Sequence, residues 1–143
     1  MERVSVSRTF AATPEEVREE IRDVGPFMEG CGFDEVSVDG DSFTITNHVG
    51  LLSIQLDLKL VETEDALVYE QVDGIFEEMV TRYHIEDGED GVSVTATTEF
   101  ALDARLVGPI LDATIITRQR KKELEAQFDY LEEALDSRTK TAA

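Results

Sequence analysis

The sequence lacks the features typical of disulfide-bonded, membrane-spanning and secreted proteins. It holds one cysteine, so an internal disulfide is excluded, and Cys31 has no second cysteine at metal-site spacing. No apolar run approaches the roughly 20 residues of a membrane-spanning helix, and the start MERVSVSRTF has no apolar stretch typical of a secretory signal. We therefore predict a soluble, cytoplasmic protein without stable membrane insertion.

Catalytic and metal-site signatures are lacking as well. The motifs GxSxG and HExxH and a Gly-rich phosphate loop do not occur. The two histidines have no third ligand at a suitable spacing. We predict neither a metal site nor a cofactor.

Basic residues are scarce relative to acidic ones. The 143 residues include 13 Lys and Arg against 32 Asp and Glu, which gives a formal net charge of -19. Such a surface repels nucleic acid and anionic membranes, because phosphate binding depends on Lys and Arg. The acids are spread along the chain, which favours adaptation to a salt-rich cytoplasm, where screening removes the self-repulsion. An ordinary acidic protein is the alternative.

Alternation of apolar and polar residues predicts an antiparallel meander. After the first strand, Thr13 is a helix N-cap followed by Pro14 and two acids, so a helix is expected from Pro14 to about Val24. Asp39-Gly40-Asp41 predicts a tight turn. The predicted strands are residues 4–10, 35–38, 43–47, 52–60, 67–72, 78–86 and 92–102.

A long helix is predicted from Pro109 to Leu135, about 40 Å in length. Its second half places Leu124, Phe128, Leu131 and Leu135 on one face. Traced backward, the same face carries Lys121, Thr117, Thr114 and Ile110, so its middle is polar or small. We expect one domain over residues 1–136 and a flexible tail over residues 137–143.

Three segments carry a resemblance to a known superfamily. They are FAATPEEVREEIRDVGPFMEG, YEQVDGIFEE and TATTEFALDARLVGPIL. Together with the element order, they resemble the START/SRPBCC superfamily, within it the polyketide cyclase/dehydrase and coenzyme Q-binding branch. The resemblance implies an α+β helix-grip fold. In that fold an antiparallel sheet of about seven strands curves around a long C-terminal helix, an N-terminal helix segment follows strand 1, and a cavity lies between sheet and helix.

Small or polar residues at inward positions are the candidate ligand contacts in such a cavity. Thr114 and Thr117 stand on the helix where larger side chains would fill the space. The alternative is that bulky neighbours fill it, and for Glu70 the opposite strand register would place Leu67, Tyr69 and Gln71 inside. The predicted binding residues are Asn47, Leu56, Leu58, Glu70, Thr81, Tyr83, Ala96, Thr98, Thr114, Thr117 and Arg118.

The leading functional hypothesis is binding or transport of a hydrophobic small molecule: a lipid, an isoprenoid or quinone, or a polyketide-like ring system. The first alternative is a polyketide cyclase or dehydratase with Tyr83 and Glu70 as acid and base. The second is a protein-interaction module that uses the apolar stretch Leu106–Ile116, which could also form a homodimer interface or a lid.

Overall fold

The computed structural model describes residues 2–30, 32–49, 51–64, 66–102 and 113–142. Within these ranges the chain forms seven strands and three helices, an α+β composition in which six strands follow one another between the second and third helix. In chain order they are β1 (Glu2–Phe10), α1 (Pro14–Arg22), α2 (Val24–Gly30), β2 (Glu35–Asp39), β3 (Ser42–Val49), β4 (Leu52–Glu62), β5 (Ala66–Asp73), β6 (Phe76–Gly88), β7 (Gly91–Leu102) and α3 (Ala113–Ala142).

The strands form one antiparallel sheet in the order β1-β7-β6-β5-β4-β3-β2. Consecutive strands from β2 to β7 are neighbours, which confirms the predicted meander, and β1 pairs with the last strand. Gly40 adopts a φ of 62° in the turn between β2 and β3, where glycine has no steric penalty. The helices lie against one face of this sheet, and the predicted helix-grip fold is confirmed.

The N-terminal helix begins at the predicted cap. The backbone N–H of Glu16 donates to Thr13 Oγ1 at 3.2 Å, and the Glu16 side chain accepts from the Thr13 backbone N–H at 3.0 Å. This reciprocal capping box satisfies two donors that the first turn leaves unpaired. Val17 and Ile21 are fully buried beneath it. The helix expected to reach about Val24 ends at Arg22 with Asp23 as its C-cap, and the short α2 follows.

In α3 the second half has the predicted buried face, formed by Leu124, Phe128, Leu131 and Leu135. The first half does not follow the predicted trace. Thr114 is exposed, whereas Ile116 and Arg120 are buried. From Leu124 toward the N-terminus the buried face advances by steps of four residues, and both three- and four-residue steps are compatible with one helical face. The predicted trace took a three-residue step from Leu124 to Lys121 and therefore followed a face of α3 on which Thr114 is exposed.

Only one end of this helix can be compared with the prediction. The predicted start at Pro109 lies outside the described residues. At the other end, residues 137–142, expected to be a flexible tail, continue the helix to Ala142. Arg138 holds this last part against α1, because Nε contacts Glu20 Oε1 at 2.5 Å and Nη1 contacts Glu19 Oε2 at 3.0 Å. None of the described helices is long and apolar enough to cross a membrane.

Candidate functional site

A small cavity lies between the sheet and the first turns of α3. Its volume is about 30 Å³, which is room for about one or two water molecules. Most of its wall is apolar, and the polar atoms come from one strand and one side of the helix. The lining residues are Phe33, Ile45, Asn47, Ile54, Leu56, Ile75, Phe76, Ile116, Gln119, Arg120 and Glu123.

A second space of about 10 Å³ lies deeper in the interior. It is walled by Met28, Leu58, Tyr69, Met79, Thr81, Tyr83 and Gln127, and it shares Phe33, Ile45 and Arg120 with the first cavity. The two small spaces therefore have three wall residues in common. Large side chains fill most of the interior, which is the alternative considered for the predicted cavity.

A buried ion pair lies at these spaces, because Arg120 borders both of them and Glu123 borders the first. Arg120 Nη1 contacts Glu123 Oε1 at 2.5 Å, and the two side chains are only 9% and 8% exposed. Arg120 Nη2 donates to Thr81 Oγ1 at 3.0 Å and to Thr98 Oγ1 at 3.1 Å. The guanidinium is thus clamped between its own helix and the centre of β6 and β7.

The carboxylate of Glu123 is held from the opposite side. Its Oε2 accepts from Asn47 Nδ2 at 3.0 Å and from Gln119 Nε2 at 3.2 Å. Hydrogen bonds and the opposite charge of the partner offset part of the cost of burying each charged group. A fixed set of hydrogen-bonding groups therefore lies at the end of a mostly apolar space.

Tyr83 is fully buried and lies behind this cluster. Its hydroxyl donates to Gln127 Oε1. Its ring packs edge-on against Phe27 at 5.7 Å and against Tyr69 at 5.3 Å between centroids. Such a phenol fixes the position of α3 on the sheet and borders the deeper space.

The structure brings together most of the predicted binding residues. Asn47 and Leu56 line the larger cavity, whereas Leu58, Thr81 and Tyr83 line the deeper one. Ala96 and Thr98 are fully buried on β7, and Thr98 reaches the ion pair. Thr117 Oγ1 is buried without a hydrogen-bond partner in the described part of the chain.

Three predicted site residues lie elsewhere. Thr114 and Arg118 are exposed because the buried face of α3 runs through Ile116 and Arg120. Glu70 is exposed because β5 adopts the opposite register, with Leu67 and Tyr69 inside. That register also lets the Tyr69 hydroxyl donate to the Ile21 carbonyl at 2.8 Å. The placement of Glu70 in the cavity was therefore wrong.

Sequence reasoning missed the polar residues that α3 supplies to the site: Arg120, Glu123 and Gln127. The signal that could have found Arg120 is the four-residue step from Phe128 through Leu124, which leads to it and to Ile116. The i,i+3 spacing of Arg120 and Glu123 then allows the pair to be buried together.

The histidines lie away from this site. His48 and His84 are 60% and 48% exposed, and each faces one carboxylate at 3.8 Å or more. Among the described residues there is no group of three or more His, Cys, Asp or Glu that could hold a metal ion.

The sequence matches no protein-family model and no curated protein. Solved structures do match over nearly the whole chain. The Zhui aromatase/cyclase from Streptomyces sp. R1128 is 14% identical with a TM-score of 0.81, over 99% of this chain and 98% of that one. A START superfamily protein from Mycobacterium smegmatis is 14% identical with a TM-score of 0.69, over 94% and 97%.

A further similar structure is the di-domain aromatase/cyclase StfQ from the steffimycin biosynthetic pathway. It is 9% identical with a TM-score of 0.68, over 96% of this chain and 52% of that one. At such low sequence identities these structural similarities are evidence for the fold alone. They confirm the helix-grip fold for this chain, which is the fold of the START superfamily protein named above.

Proposed function

We propose that this protein binds a hydrophobic small molecule, such as a lipid, an isoprenoid or quinone, or a polyketide-like ring system, between the sheet and the first half of α3. The support is an apolar wall that includes Ile54, Phe76 and Ile116, with polar groups confined to one side. Small-molecule sites combine apolar contact area with a few placed polar groups in this way.

The observation that carries the proposal is the ion pair of Arg120 and Glu123 inside the hydrophobic core. Removing two charges from water costs several kcal/mol for each ion, and an apolar pair of similar volume is often at least as stable. The pair is therefore a poor device for stability alone. A ligand that needs orientation inside the fold gives these groups a function.

Ligand entry requires a larger space than the two cavities offer. Phe33 borders both of them and is 8% exposed. It lies in the connection between α2 and β2, directly after Gly32 with its φ of 94°. Because this ring borders both spaces and lies outside the strands of the sheet, we assign Phe33 the role of a gate.

The experiment is native mass spectrometry of protein purified in molar KCl, with organic extraction, followed by titration with lipids and quinones. We expect a co-purified apolar molecule or binding in the titration. Phe33→Ala should bind more tightly, because the enlarged space no longer has to be opened. Phe10→Ala is the matched control, since Phe10 is equally buried but lies outside both cavities. No ligand and no binding by wild type or Phe33→Ala would refute the proposal.

A polyketide cyclase is the second candidate, because two of the similar solved structures are described as aromatase/cyclases. The version with Glu70 as base is excluded by the exposure of that side chain. Glu123 already accepts hydrogen bonds from three residues, which makes it a positioning group. Conversion of a poly-β-ketone substrate analogue by the wild-type protein would favour this candidate over simple binding.

The third candidate, a protein-interaction or homodimer surface at Leu106–Ile116, lies largely outside the described residues. Of its described part, Ile116 is buried in the cavity wall and Ile115 is partly exposed. Ile115→Asp and Leu111→Asp in a pull-down test this candidate. Loss of a partner or of a dimer in both variants would support it.

A further inference from the structure

Three residues between α2 and β2, Gly32, Phe33 and Asp34, form a short segment that we call the strap. Its two ends are held differently. On the helix side, the Gly32 backbone N–H donates to the Glu29 carbonyl at 3.1 Å. A Cβ built on Gly32 would meet no atom of the described residues within 4 Å. The strap therefore has open space beside it where it leaves α2.

On the sheet side, Asp34 is fixed to β3 by two hydrogen bonds. Its backbone N–H donates to the Thr46 carbonyl at 3.0 Å, and its carboxylate Oδ2 accepts from the His48 backbone N–H at 2.8 Å. The imidazole Nε2 of His48 lies 4.0 Å from the same oxygen, which is beyond hydrogen-bond distance. The pairing of β2 with β3 begins at the next residue, Glu35. The Asp34 side chain thus supplies a bond that the strand ladder does not.

These two hydrogen bonds lie on either side of Asn47. The Asn47 side chain donates to Glu123 Oε2 at 3.0 Å, and both residues line the larger cavity together with Phe33. Asp34 directly follows Phe33 in the chain. One residue therefore contacts the strand segment that carries the polar wall and also adjoins the ring that borders both spaces.

We infer that Asp34 is a positioning residue that regulates access to the cavity: its carboxylate holds the strap on β3 and thereby keeps Phe33 in the cavity wall. The inference rests on the proposed function, in which Phe33 is the gate, and adds what keeps that gate closed. The Asp34 side chain is 42% exposed, so water can replace the His48 N–H as its partner when the strap moves. Breaking such a bond costs far less than breaking the β2–β3 ladder.

The alternative role for Asp34 is local stabilisation of the start of β2. A residue with that role alone would lower the free energy of unfolding when it is replaced, whether or not an aromatic ring is present at position 33. A residue that acts through the gate depends on that ring. The two roles therefore differ in the coupling between Asp34 and Phe33.

The first measurement needs no ligand. The chain has no tryptophan, so Phe33→Trp places a single indole in the gate, and acrylamide quenching reports how often that indole meets solvent. Adding Asp34→Ala should raise the quenching constant about fivefold, the factor for one partly exposed hydrogen bond. Adding Asp34→Asn should change it by less than about twofold, because the amide oxygen still accepts from the His48 N–H. Glu35→Ala is the matched control, since it removes the same charge from the next, exposed residue.

The second measurement is stopped-flow binding of N-phenyl-1-naphthylamine, a neutral apolar probe whose fluorescence rises in an apolar environment, in molar KCl. Asp34→Ala should raise the association rate constant by the same factor as the quenching, because the open fraction limits entry. In the Phe33→Ala background, where no ring closes the cavity, Asp34→Ala should leave the rate constant unchanged.

The outcomes separate the inference from the proposed function. Unchanged quenching in Asp34→Ala, or an equal gain in association rate in both backgrounds, would overturn the inference and leave the proposed function intact. A gain in quenching together with no probe binding by any variant would support Asp34 as the anchor of Phe33 and count against the proposed function.

Discussion

The buried ion pair between Arg120 and Glu123 can be removed one partner at a time or as a whole. Arg120→Met leaves a carboxylate with two amide donors, and Glu123→Leu leaves a guanidinium with two threonines. Since both side chains are less than a tenth exposed, solvent screens the remaining charge poorly. Each single variant should therefore lose about 3–5 kcal/mol of unfolding free energy.

The double variant Arg120→Met/Glu123→Leu should behave differently. It leaves no buried charge, and replacing a buried pair by apolar residues is often neutral or stabilising by about 1–4 kcal/mol. The two losses should therefore not add, and the cycle should show a coupling of several kcal/mol in favour of the pair. Strong coupling between Arg120 and Glu123, with little net contribution to the free energy of unfolding, is expected of an ion pair whose role is to orient a ligand.

The assay is urea unfolding followed by circular dichroism, since the chain has no tryptophan. The single variants change the net charge of -19 by one unit in opposite directions, so the measurement belongs in 1 M KCl, where the Debye length is about 3 Å. Arg82→Met is the matched control, because the Arg82–Glu99 pair is 52% and 37% exposed and should contribute less than about 1 kcal/mol. Single variants as mild as this control would refute the burial of the pair.

Three further outcomes are expected. Gly91→Ala should lower the free energy of unfolding by about 1–3 kcal/mol in the same assay, because φ of Gly91 is 135° and a Cβ would lie 2.3 Å from the Phe10 carbonyl oxygen. Gly25→Ala is the control and should cost much less, because its Cβ would meet only Val38 at 3.7 Å. Equal effects of the two substitutions would contradict this geometry. Hydrogen bonds from Arg22 lower the pKa of Glu62 below its usual 4.5. The contribution of the Glu62 carboxylate to the free energy of unfolding is therefore present at pH 6 and is lost as the pH falls through the lowered pKa. The difference in unfolding free energy between wild type and Glu62→Gln should narrow toward pH 3, and a constant difference would contradict this. Molar KCl should raise the Tm relative to 0.1 M KCl, with NaCl acting similarly, because screening weakens repulsion; an unchanged Tm would refute the salt-adapted interpretation of the charge.

The fold could be predicted because its local signals agree with one another. The strand with Leu56 and Leu58 inside alternates strictly with polar residues, and a one-residue slip would expose the whole apolar set. Thr13, Pro14 and Glu16 mark a helix start by cap, fixed φ and reciprocal bond. Such signals act within a few residues, so they can be recognised without knowledge of the partner element.

The wrong placements arose where the local sequence was compatible with two choices of the buried face. On β5, apolar residues occupy both phases, and both Val68 and Tyr69 are buried, so alternation could not exclude Glu70 from the interior. On α3, the trace took a three-residue step from Leu124 to Lys121, whereas the buried face takes a four-residue step to Arg120. Its partners are Glu123 on the same helix and two threonines on distant strands, and only the fold brings them together.

The small residues of the sheet explain what occupies the middle of the fold. Ala96, Thr98 and Thr81 leave room opposite α3, as the sequence suggested, but the long side chain of Arg120 from the protein's own helix enters that room. An arginine stem covers apolar surface while its head needs acceptors, and the two threonine oxygens supply them. Under the proposed function, a ligand would compete with packed side chains for space. Its binding free energy would include the cost of moving Phe33, so Phe33→Ala should gain affinity even though it loses stability.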